Sequence, residues 1–398
     1  MLFVAIPILN ESAQLPELIR CIKAQTYHDF TVYFCVNQPA EWWVEKERTV
    51  VCIDNRRSLQ LLNGITGFSR VVFDRSSEKN GWQGKQHGVG WARKTLMDAI
   101  SQVAGAKDII LSLDADTTFG PRYFASVVDN FQQHPLTVGI AVPYFHLLPE
   151  DHEACRAILR YELYMRYYAI NCWRIGSPYN FTALGSAMAC RVSTYRSIGG
   201  MTPKMSGEDF YFLQKLRKFG TLMTSNSEKV YPAARFSDRV YFGTGPAMIR
   251  GNGGDWSGYP IYRHQYFNEI RQFYELLPEM FEKTIATEVT AFLQLHLQED
   301  DPFESIRRNC TSRDQFIRAC HEKFDGLRML QFLKRKQNED PGDDAQNLID
   351  FFNCFYPTDL NSILPEASIS GFEVMTIQDL DKIRMKLVKI EEDYQASS

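Results

Sequence analysis

The feature that most constrains this chain is a short apolar run that ends in two carboxylates. Residues 109–113 are apolar apart from Ser112, and Asp114, Ala115 and Asp116 follow directly. A bounded run of this length is typical of a buried strand. At the end of an extended strand, residues two apart point to the same side, so the two carboxylates repel each other unless a cation lies between them. Carboxylate oxygens suit Mg²⁺ or Mn²⁺.

The same acids also have a simpler interpretation. They could be solvated turn residues, with Asp116 or Thr117 capping a helix that Pro121 opens. In open α/β sheets, however, ligands bind beyond the carboxyl ends of the strands, which is where a metal–diphosphate site would be built. The pair alone leaves both interpretations open.

Length, charge and composition exclude several classes of protein. The chain has 398 residues, enough for one large domain and a smaller one, and its 44% hydrophobic and 23% charged residues are those of a globular protein. A net charge of −4 without a basic stripe argues against nucleic acid as a partner. No apolar run has the length of a membrane span, the chain begins with a strand pattern instead of a signal peptide, and the nine cysteines include no Cys-x-x-Cys pair. We therefore expect a cytoplasmic protein.

Strand and helix patterns alternate over roughly the first 250 residues. Besides the run at 109–113, predicted strands cover residues 2–6, 31–36, 49–53, 71–74, 138–142 and 183–191, and helix patterns cover 15–22, 84–103, 121–134, 153–173 and the stretch after 206. This order predicts an open, mostly parallel α/β sheet flanked by helices. From about Tyr262 onward glycine is sparse and long amphipathic stretches appear. We expect one α/β domain over residues 1–250 and a mainly helical region over 251–398.

Polar residues lie at the ends of the first two predicted strands. Pro7, Asn10 and Glu11 belong to the end of the first strand, and Asn37 to the end of the second. We expect Pro7 to stop strand pairing and the residues after it to turn the chain into a helix. Such polar groups could hold a nucleotide, although each of them taken alone is more typical of an ordinary loop.

Gly84 and Lys85 are predicted to open a helix. The helix dipole disfavours a cation at this end, so a lysine here is explained if an anion such as a phosphate binds beside it. The alternative is an exposed lysine that costs a few tenths of a kcal/mol.

Two adjacent acids begin another predicted helix. Ser206 and Asp209 fit a capping box, and on the motif alone this interpretation is preferred. Glu208 and Asp209 could instead supply a general base in a pocket.

Two stretches remain open to two interpretations each. Residues 153–173 form a helix rich in aromatic residues and arginine, which favours an interior helix with snorkelling arginines over a helix that docks on a membrane or lines an acceptor groove. Arg235 and Arg239 precede a Gly-Thr-Gly turn, and arginines with exposed backbone N–H groups suit a diphosphate. The alternative for this second stretch is a surface pair with Asp238 in a plain loop.

Taken in order, these motifs make the chain resemble the family 2 glycosyltransferases of the GT-A fold. The resemblance covers about residues 1–245, and the remainder of the chain has no match. The matching elements are Pro-Ile-Leu-Asn-Glu at 7–11, Gly84-Lys85, Asp114-Ala115-Asp116, the segment 185–191 with Gly199-Gly200, and Glu208-Asp209.

The chain departs from this family in two respects. Asn37-Gln38-Pro39 replaces the Asp-Gly-Ser-like turn that helps many relatives to read the base, which leaves the nucleotide undefined. The Gln-x-x-Arg-Trp motif and the membrane helices of processive synthases are both absent, which argues against a synthase that extrudes a polymer.

The resemblance implies an inverting, hexosyltransferase-like enzyme that takes a sugar from a nucleotide-diphosphate donor with Mg²⁺ or Mn²⁺. Asp116 and Asp114 would hold the metal, and Asp209 would be the general base, with Glu208 as the alternative or as an acceptor contact. The acceptor would be an unknown glycan or a lipid-linked molecule, and the prediction allows peripheral contact with the inner face of a membrane. The residues expected to bind the donor are Pro7, Asn10, Glu11, Asn37, Lys85, Asp114, Arg235 and Arg239.

Two other classes of function are compatible with paired acids on an α/β sheet. One is a metal-dependent nucleotidyltransferase, although no Gly-rich loop of that kind lies near the first strand. The other is a non-catalytic relative that binds sugar nucleotides.

Overall fold

The computed structural model describes residues 1–357 and 371–397, which fall into two compact units. The first unit consists of Met1–Ile158 and Phe181–Asp255. The second consists of Leu159–Asn180 and the described residues from Trp256 onward. Residues 159–180, which the sequence analysis assigned to the α/β domain, therefore group with the helical region.

The first unit is built on a seven-stranded sheet. Its strands are β1 (Leu2–Ile8), β2 (Phe30–Asn37), β3 (Ser69–Arg75), β4 (Ile109–Ser112), β6 (Thr137–Ala141), β7 (Met188–Arg191) and β8 (Thr221–Met223), while β5 (Thr118–Phe119) and β9 (Val230–Tyr231) form a separate pair. The strand order is β3-β2-β1-β4-β7-β6-β8. Only β7 runs antiparallel to its neighbours in this sheet. The predicted class, a mixed and mostly parallel sheet flanked by helices, is confirmed.

The helices of this part of the chain follow the expected alternation. They are α1 (Leu15–Lys23), α2 (Thr49–Asn63), α3 (Val89–Val103), α4 (Tyr123–Gln133), α5 (His152–Arg174), α6 (Val192–Ser197), α7 (Glu208–Phe219) and α8 (Thr244–Asn252). Helix α5 begins in the first unit and ends in the second.

The strand predicted at residues 49–53 is wrong, because this stretch begins α2. Its apolar residues suggested a buried strand, yet the side chains of Val50 and Ile53 are 73% and 56% exposed. The buried residues of α2 recur at helical spacing, and two of the four are polar: Cys52, Asn55, Ser58 and Leu62. A short apolar run does not distinguish strand from helix, and here the helical period decides.

The helix predicted to open at Gly84 and Lys85 begins only at Val89. Gly84 and Gly88 both have positive φ, of 65° and 102°, and the chain turns between them. Glycine adopts this region without the steric cost that other residues incur, so the turn persists where a helix was expected.

Pro7 also differs from expectation, because it lies inside β1 and pairs in register with Cys35 of β2. On the other side of β1, β4 pairs only with residues from Leu2 to Ala5. A residue without an N–H group is tolerated where a strand has a free edge.

The second unit is helical, as the sequence predicted for the region after Tyr262. After the end of α5, its helices are α9 (His264–Met280), α10 (Glu288–Leu297), α11 (Glu304–Asn309), α12 (Arg313–Lys323), α13 (Gly326–Glu339), α14 (Asp344–Phe355) and α15 (Ile377–Ala396). Within the described parts of the chain, none of the helices combines the length and the apolar character needed to cross a membrane.

Two arginines of α5, Arg160 and Arg166, are buried and paired, whereas the sequence analysis expected the arginines of this helix to snorkel. Arg160 hydrogen-bonds Asp344 of α14, and Nη1 of Arg166 donates to Glu391 of α15 at 2.5 Å. Because these acids meet the guanidinium groups inside the second unit, the charges need not reach water.

Gly90, on the first turn of α3, tests the packing of this helix. A Cβ at this position would lie 2.3 Å from the carbonyl oxygen of Lys204, so the segment before α7 would have to move. We expect Gly90→Ala to lower the free energy of unfolding, measured by urea titration, by about 1–3 kcal/mol. In Gly64→Ala the nearest atom is 3.6 Å away, and the change should stay within about 0.5 kcal/mol. Equal stabilities of the two variants would contradict this packing.

Candidate active site

The position of the candidate site is set by the register of two neighbouring strands. β1 and β4 are parallel, with Leu2 opposite Ile109 and Ala5 opposite Ser112. The segments that follow both strands therefore leave the sheet at the same edge. Glu11 lies on the first of these segments, and Asp114 and Asp116 lie on the second.

Glu11 and Asp116 share two arginines from a distant part of the chain. Nη2 of Arg235 donates to Oδ2 of Asp116 at 2.7 Å and also bonds Glu11. Arg239 bonds Glu11 as well, donates to Asp116 at 3.4 Å and donates to the carbonyl oxygen of Leu9 at 3.0 Å. We call Glu11, Asp116, Arg235 and Arg239 the diphosphate cluster, after the ligand proposed below.

The charges of the diphosphate cluster depend on one another, and Glu11 is the most deeply buried of its four residues. Glu11 is only 4% exposed, and its Oε2 atom has no hydrogen-bond partner. Burial raises the pKa of Asp116, while Arg235 opposes that rise. Burial also lowers the pKa of Arg239 to about 10. Two carboxylates and two guanidinium groups make the cluster neutral, and one buried acceptor atom remains unpaired.

A second cluster is organised by Arg93 of α3, which is 1% exposed. Nη2 donates to Oδ1 of Asp114 at 2.8 Å, and Nε donates to Oε1 of Glu208 at 3.1 Å. Nη1 donates to the carbonyl oxygen of Gly185 at 2.9 Å and bonds Ser112. Although burial opposes it, the carboxylates of Asp114 and Glu208 raise the pKa of Arg93. The two acids beside Arg93 thus share one cation.

Asp209 lies beside this cluster in a different electrostatic setting. The amide of Phe210 donates to Oδ1 of Asp209 at 2.8 Å. Burial, and then the negative charge of Glu208, raise the pKa of Asp209 to about 7. Burial raises the pKa of Glu208 as well, but Arg93 opposes that rise. A carboxylate whose pKa lies near neutrality can accept a proton and release it again.

The capping box considered for the start of α7 is not formed. The residue before the helix is Gly207, with a φ of 76°, and no side chain caps the helix. Ser206 instead exchanges hydrogen bonds with the backbone of Phe242, accepting from its amide at 3.0 Å. The hydroxyl links two segments and leaves the acids of α7 to other roles.

Three residues that were predicted to bind the sugar-nucleotide donor make contacts within the protein. The backbone of Asn10 has a φ of 56°, and its amide donates to Oδ1 of Asn55 at 2.9 Å. Asn37 is buried, and its side chain donates to the carbonyl oxygen of Ile8 at 2.9 Å. Pro7 is part of β1. These residues hold the ends of the strands in place.

Lys85 takes no part in these contacts. It is exposed in the turn before α3. Within residues 1–357 and 371–397 no hydrogen bond or ion pair is formed by its ammonium group. The structure thus brings together Glu11, Asp114, Asp116, Glu208, Asp209, Arg235 and Arg239 in two clusters, and it leaves Lys85 as a solvated cation.

The acids of the site can be considered as ligands for a divalent cation. Among the described residues, no group of three or more His, Cys, Asp or Glu side chains is arranged to hold a metal. Arg93 binds Oδ1 of Asp114, and the two arginines bind Oδ2 of Asp116. Mg²⁺ in phosphate sites commonly takes only one or two carboxylates from the protein and the remaining ligands from phosphate and water. The hard oxygen donors of Asp114 and Asp116 fit such an ion.

Arg93 is the site residue that the sequence analysis missed. In this helix pattern, the sequence analysis named only Lys85 as a candidate site residue. The positions of α3 that are buried include Arg93, Leu96, Met97 and Ile100, which have the spacing i, i+3, i+4 and i+7. That spacing places Arg93 on the buried face, and it was the signal available in the sequence.

Comparisons with known proteins find similarity to solved structures at low sequence identity. No family model and no curated protein matches it. Solved structures that resemble it include S. aureus TarS 1-349 in complex with UDP-GlcNAc, with 12% identity, a TM-score of 0.41 and coverage of 100% of this chain and 92% of that one. Another is the mannosyltransferase PcManGT from Pyrobaculum calidifontis in complex with GDP-Man and Mn²⁺, with 13% identity, a TM-score of 0.40 and coverage of 97% and 86%.

A third similar structure is GalNAc-T7 with UDP, GalNAc and Mn²⁺, with 12% identity, a TM-score of 0.38 and coverage of 80% of this chain and 56% of that one. These neighbours are GT-A type glycosyltransferases.

The raised pKa of Asp209 makes the stability of the protein depend on pH. Folding disfavours the charged carboxylate of Asp209. The contribution of this group to the free energy of unfolding is therefore fully present below the ordinary pKa of 3.8, and it is lost as the pH rises through about 7. We expect Asp209→Asn to match the wild type near pH 4 and to exceed it by up to about 4 kcal/mol near pH 8, since a tenfold change in proton affinity corresponds to about 1.4 kcal/mol. Urea titrations at both pH values measure this difference. A difference that is the same at both would contradict the assignment.

Proposed function

We propose that this protein is a glycosyltransferase that moves a sugar from a nucleoside-diphosphate sugar to an acceptor hydroxyl, with inversion at the anomeric carbon. One observation carries the proposal. Asp114 and Asp116, two residues apart, belong to two different clusters, one rich in arginine and one beside a carboxylate with a pKa of about 7. The first cluster suits the charge of a diphosphate leaving group, and the second suits deprotonation of an acceptor.

The diphosphate cluster supplies the donors for the leaving group. Breaking the bond between the anomeric carbon and the phosphate oxygen leaves negative charge on the nucleoside diphosphate. Arg235 and Arg239, which now donate to Glu11 and Asp116, can donate to phosphate oxygens through the same planar groups. Preorganised donors of this kind stabilise charge as it develops in the transition state.

The charge count favours a divalent cation in addition to the arginines. The diphosphate cluster is neutral, with two carboxylates against two guanidinium groups. A bound diphosphate adds at least two negative charges, which the cluster does not balance. Asp116 and Asp114 would hold Mg²⁺ or Mn²⁺ at this place, and the ion would stabilise the negative charge of the leaving group. Lys85, on its exposed turn, is a further cation for the same charge.

Asp209 serves as the general base. A neutral hydroxyl is a poor nucleophile, so its proton passes to the carboxylate of Asp209 while its oxygen forms the new bond to the anomeric carbon. The bond from that carbon to the diphosphate breaks on the opposite face, and the single displacement inverts the centre. Glu208 is less suited to this role, because its Oε1 atom accepts a hydrogen bond from Arg93.

Calorimetric titration with UDP, GDP, dTDP and CDP, each with and without Mn²⁺, tests donor binding. We expect one diphosphate to bind tightly only with the metal, and Asp116→Asn to weaken that binding by about tenfold or more, equivalent to about 1.4 kcal/mol. Asp129→Asn, which changes an exposed acid of α4, is the control and should bind as the wild type does. Failure of all four diphosphates to bind would contradict the proposal.

The base is tested by Asp209→Asn. We expect this variant to bind the diphosphate within about threefold of the wild type, because the interaction lost is made only in the transition state. The rate of nucleoside-diphosphate release from the sugar donor should fall by about 10²–10⁴-fold. Normal turnover would remove Asp209 as the base. Release of pyrophosphate from a nucleoside triphosphate would instead identify a nucleotidyltransferase, and binding of the donor without any turnover would identify a non-catalytic relative.

A further inference from the structure

We propose that Arg93 is the positioning residue that holds Glu208 out of the reaction and keeps Asp114 in place, so that Asp209 alone acts as the base. This inference rests on the proposed function. It assigns a role to a side chain that touches neither the diphosphate cluster nor, in our proposal, the substrate.

The hydrogen bonds of Arg93 use all three nitrogens of its guanidinium group. They reach Asp114 at 2.8 Å, Glu208 at 3.1 Å and the carbonyl oxygen of Gly185 at 2.9 Å, with Ser112 as a fourth partner. These partners lie on the end of β4, on the segment after it, on the segment before β7 and on the first residue of α7. A rigid planar fork thus joins three parts of the chain at one point.

Gly185 packs directly against the guanidinium group of Arg93. The carbonyl oxygen of Gly185 also accepts from the hydroxyl of Ser112 at 2.8 Å. A Cβ at Gly185 would lie 2.4 Å from Nη2 of Arg93. The arrangement therefore requires both the arginine and the glycine, and Gly185→Ala displaces the fork without removing its charge.

The two neighbouring acids of α7 have different hydrogen-bond partners. Glu208, 3% exposed, gives its Oε1 atom to Arg93. Asp209 accepts a hydrogen bond from the amide of Phe210 instead. A carboxylate bound to a buried cation is a weak proton acceptor, because the cation stabilises its charged form. Loss of Arg93 would leave two adjacent buried acids with no cation between them and would free Glu208 to move.

A purely structural arginine would have a different signature. Removing a buried charge from an ion pair lowers stability whatever the function of the pair. A positioning role predicts a further effect on kcat that depends on Glu208. The test therefore combines a conservative variant, a neutral variant and a double-mutant cycle.

The assay is the release of UDP from UDP-GlcNAc, or of GDP from GDP-mannose, by the full chain with water as the acceptor. With whichever donor the wild type uses, we expect Arg93→Met to lower kcat by about 10²-fold or more and to raise KM for the donor much less. Arg93→Lys should recover about tenfold of that loss, because one cation between the acids is restored without the fork. Gly185→Ala should resemble Arg93→Lys.

The double-mutant cycle separates this role from general destabilisation. If Arg93 acts through Glu208, the losses of kcat in Arg93→Met and Glu208→Gln should be strongly non-additive in the double variant. Arg191→Met is the matched control, because Arg191 lies in the same unit and donates to the backbone carbonyls of Phe131 and Thr137. It should lower the thermal unfolding temperature and leave kcat unchanged.

Three results would overturn the inference. A folded Arg93→Met with kcat within about twofold of the wild type would do so, as would additive losses in the cycle or an equal loss of kcat in Arg191→Met. If Arg93→Met does not fold, Arg93→Lys and Gly185→Ala carry the same test, and wild-type kcat in both overturns the inference. If the wild type releases no diphosphate from either donor and binds none of the four diphosphates above, the proposed function fails first and this inference fails with it.

Discussion

The parallel pairing of β1 and β4 is the constraint on which the candidate site depends. Their register sends the segments after both strands out of the same edge of the sheet. Glu11 can therefore share Arg235 and Arg239 with Asp116, and Asp114 can meet Arg93. A shift of this register by one residue would turn every side chain of one strand to the opposite face, and the carboxylates would no longer converge.

Arginines paired with acids are the second recurring element, and they serve different ends in the two units. In the second unit, Arg166 pairs with Glu162 and Glu391. In the first unit, Arg93 and the two arginines of the diphosphate cluster all contact acids at the edge of the sheet. Neutralised pairs are tolerated inside a protein because each charge stabilises the other. The carboxylates at the sheet edge differ in that one of them, Glu11, retains an unpaired buried oxygen.

Sequence reasoning succeeded where the pattern was long or strongly bounded. The run at 109–113 predicted β4 and the position of the two acids, and the helix at 153–173 matches α5. It failed at residues 49–53, where four apolar residues among five have the same composition in a strand as in a helix. It also failed at Lys85, because two glycines with positive φ hold a turn in place of a first helical turn.

The sequence by itself determined the alternation of strands and helices, the change to a helical region after Tyr262, and the chemical types of the acids and arginines at the strand ends. These follow from periodicity and from side-chain chemistry, which are local properties. Only the tertiary structure decided which charges meet. Arg235 and Glu11 are 224 residues apart, and Arg93 and Glu208 are 115 apart. Such pairings depend on strand order and helix packing, and no local pattern in the chain encodes them.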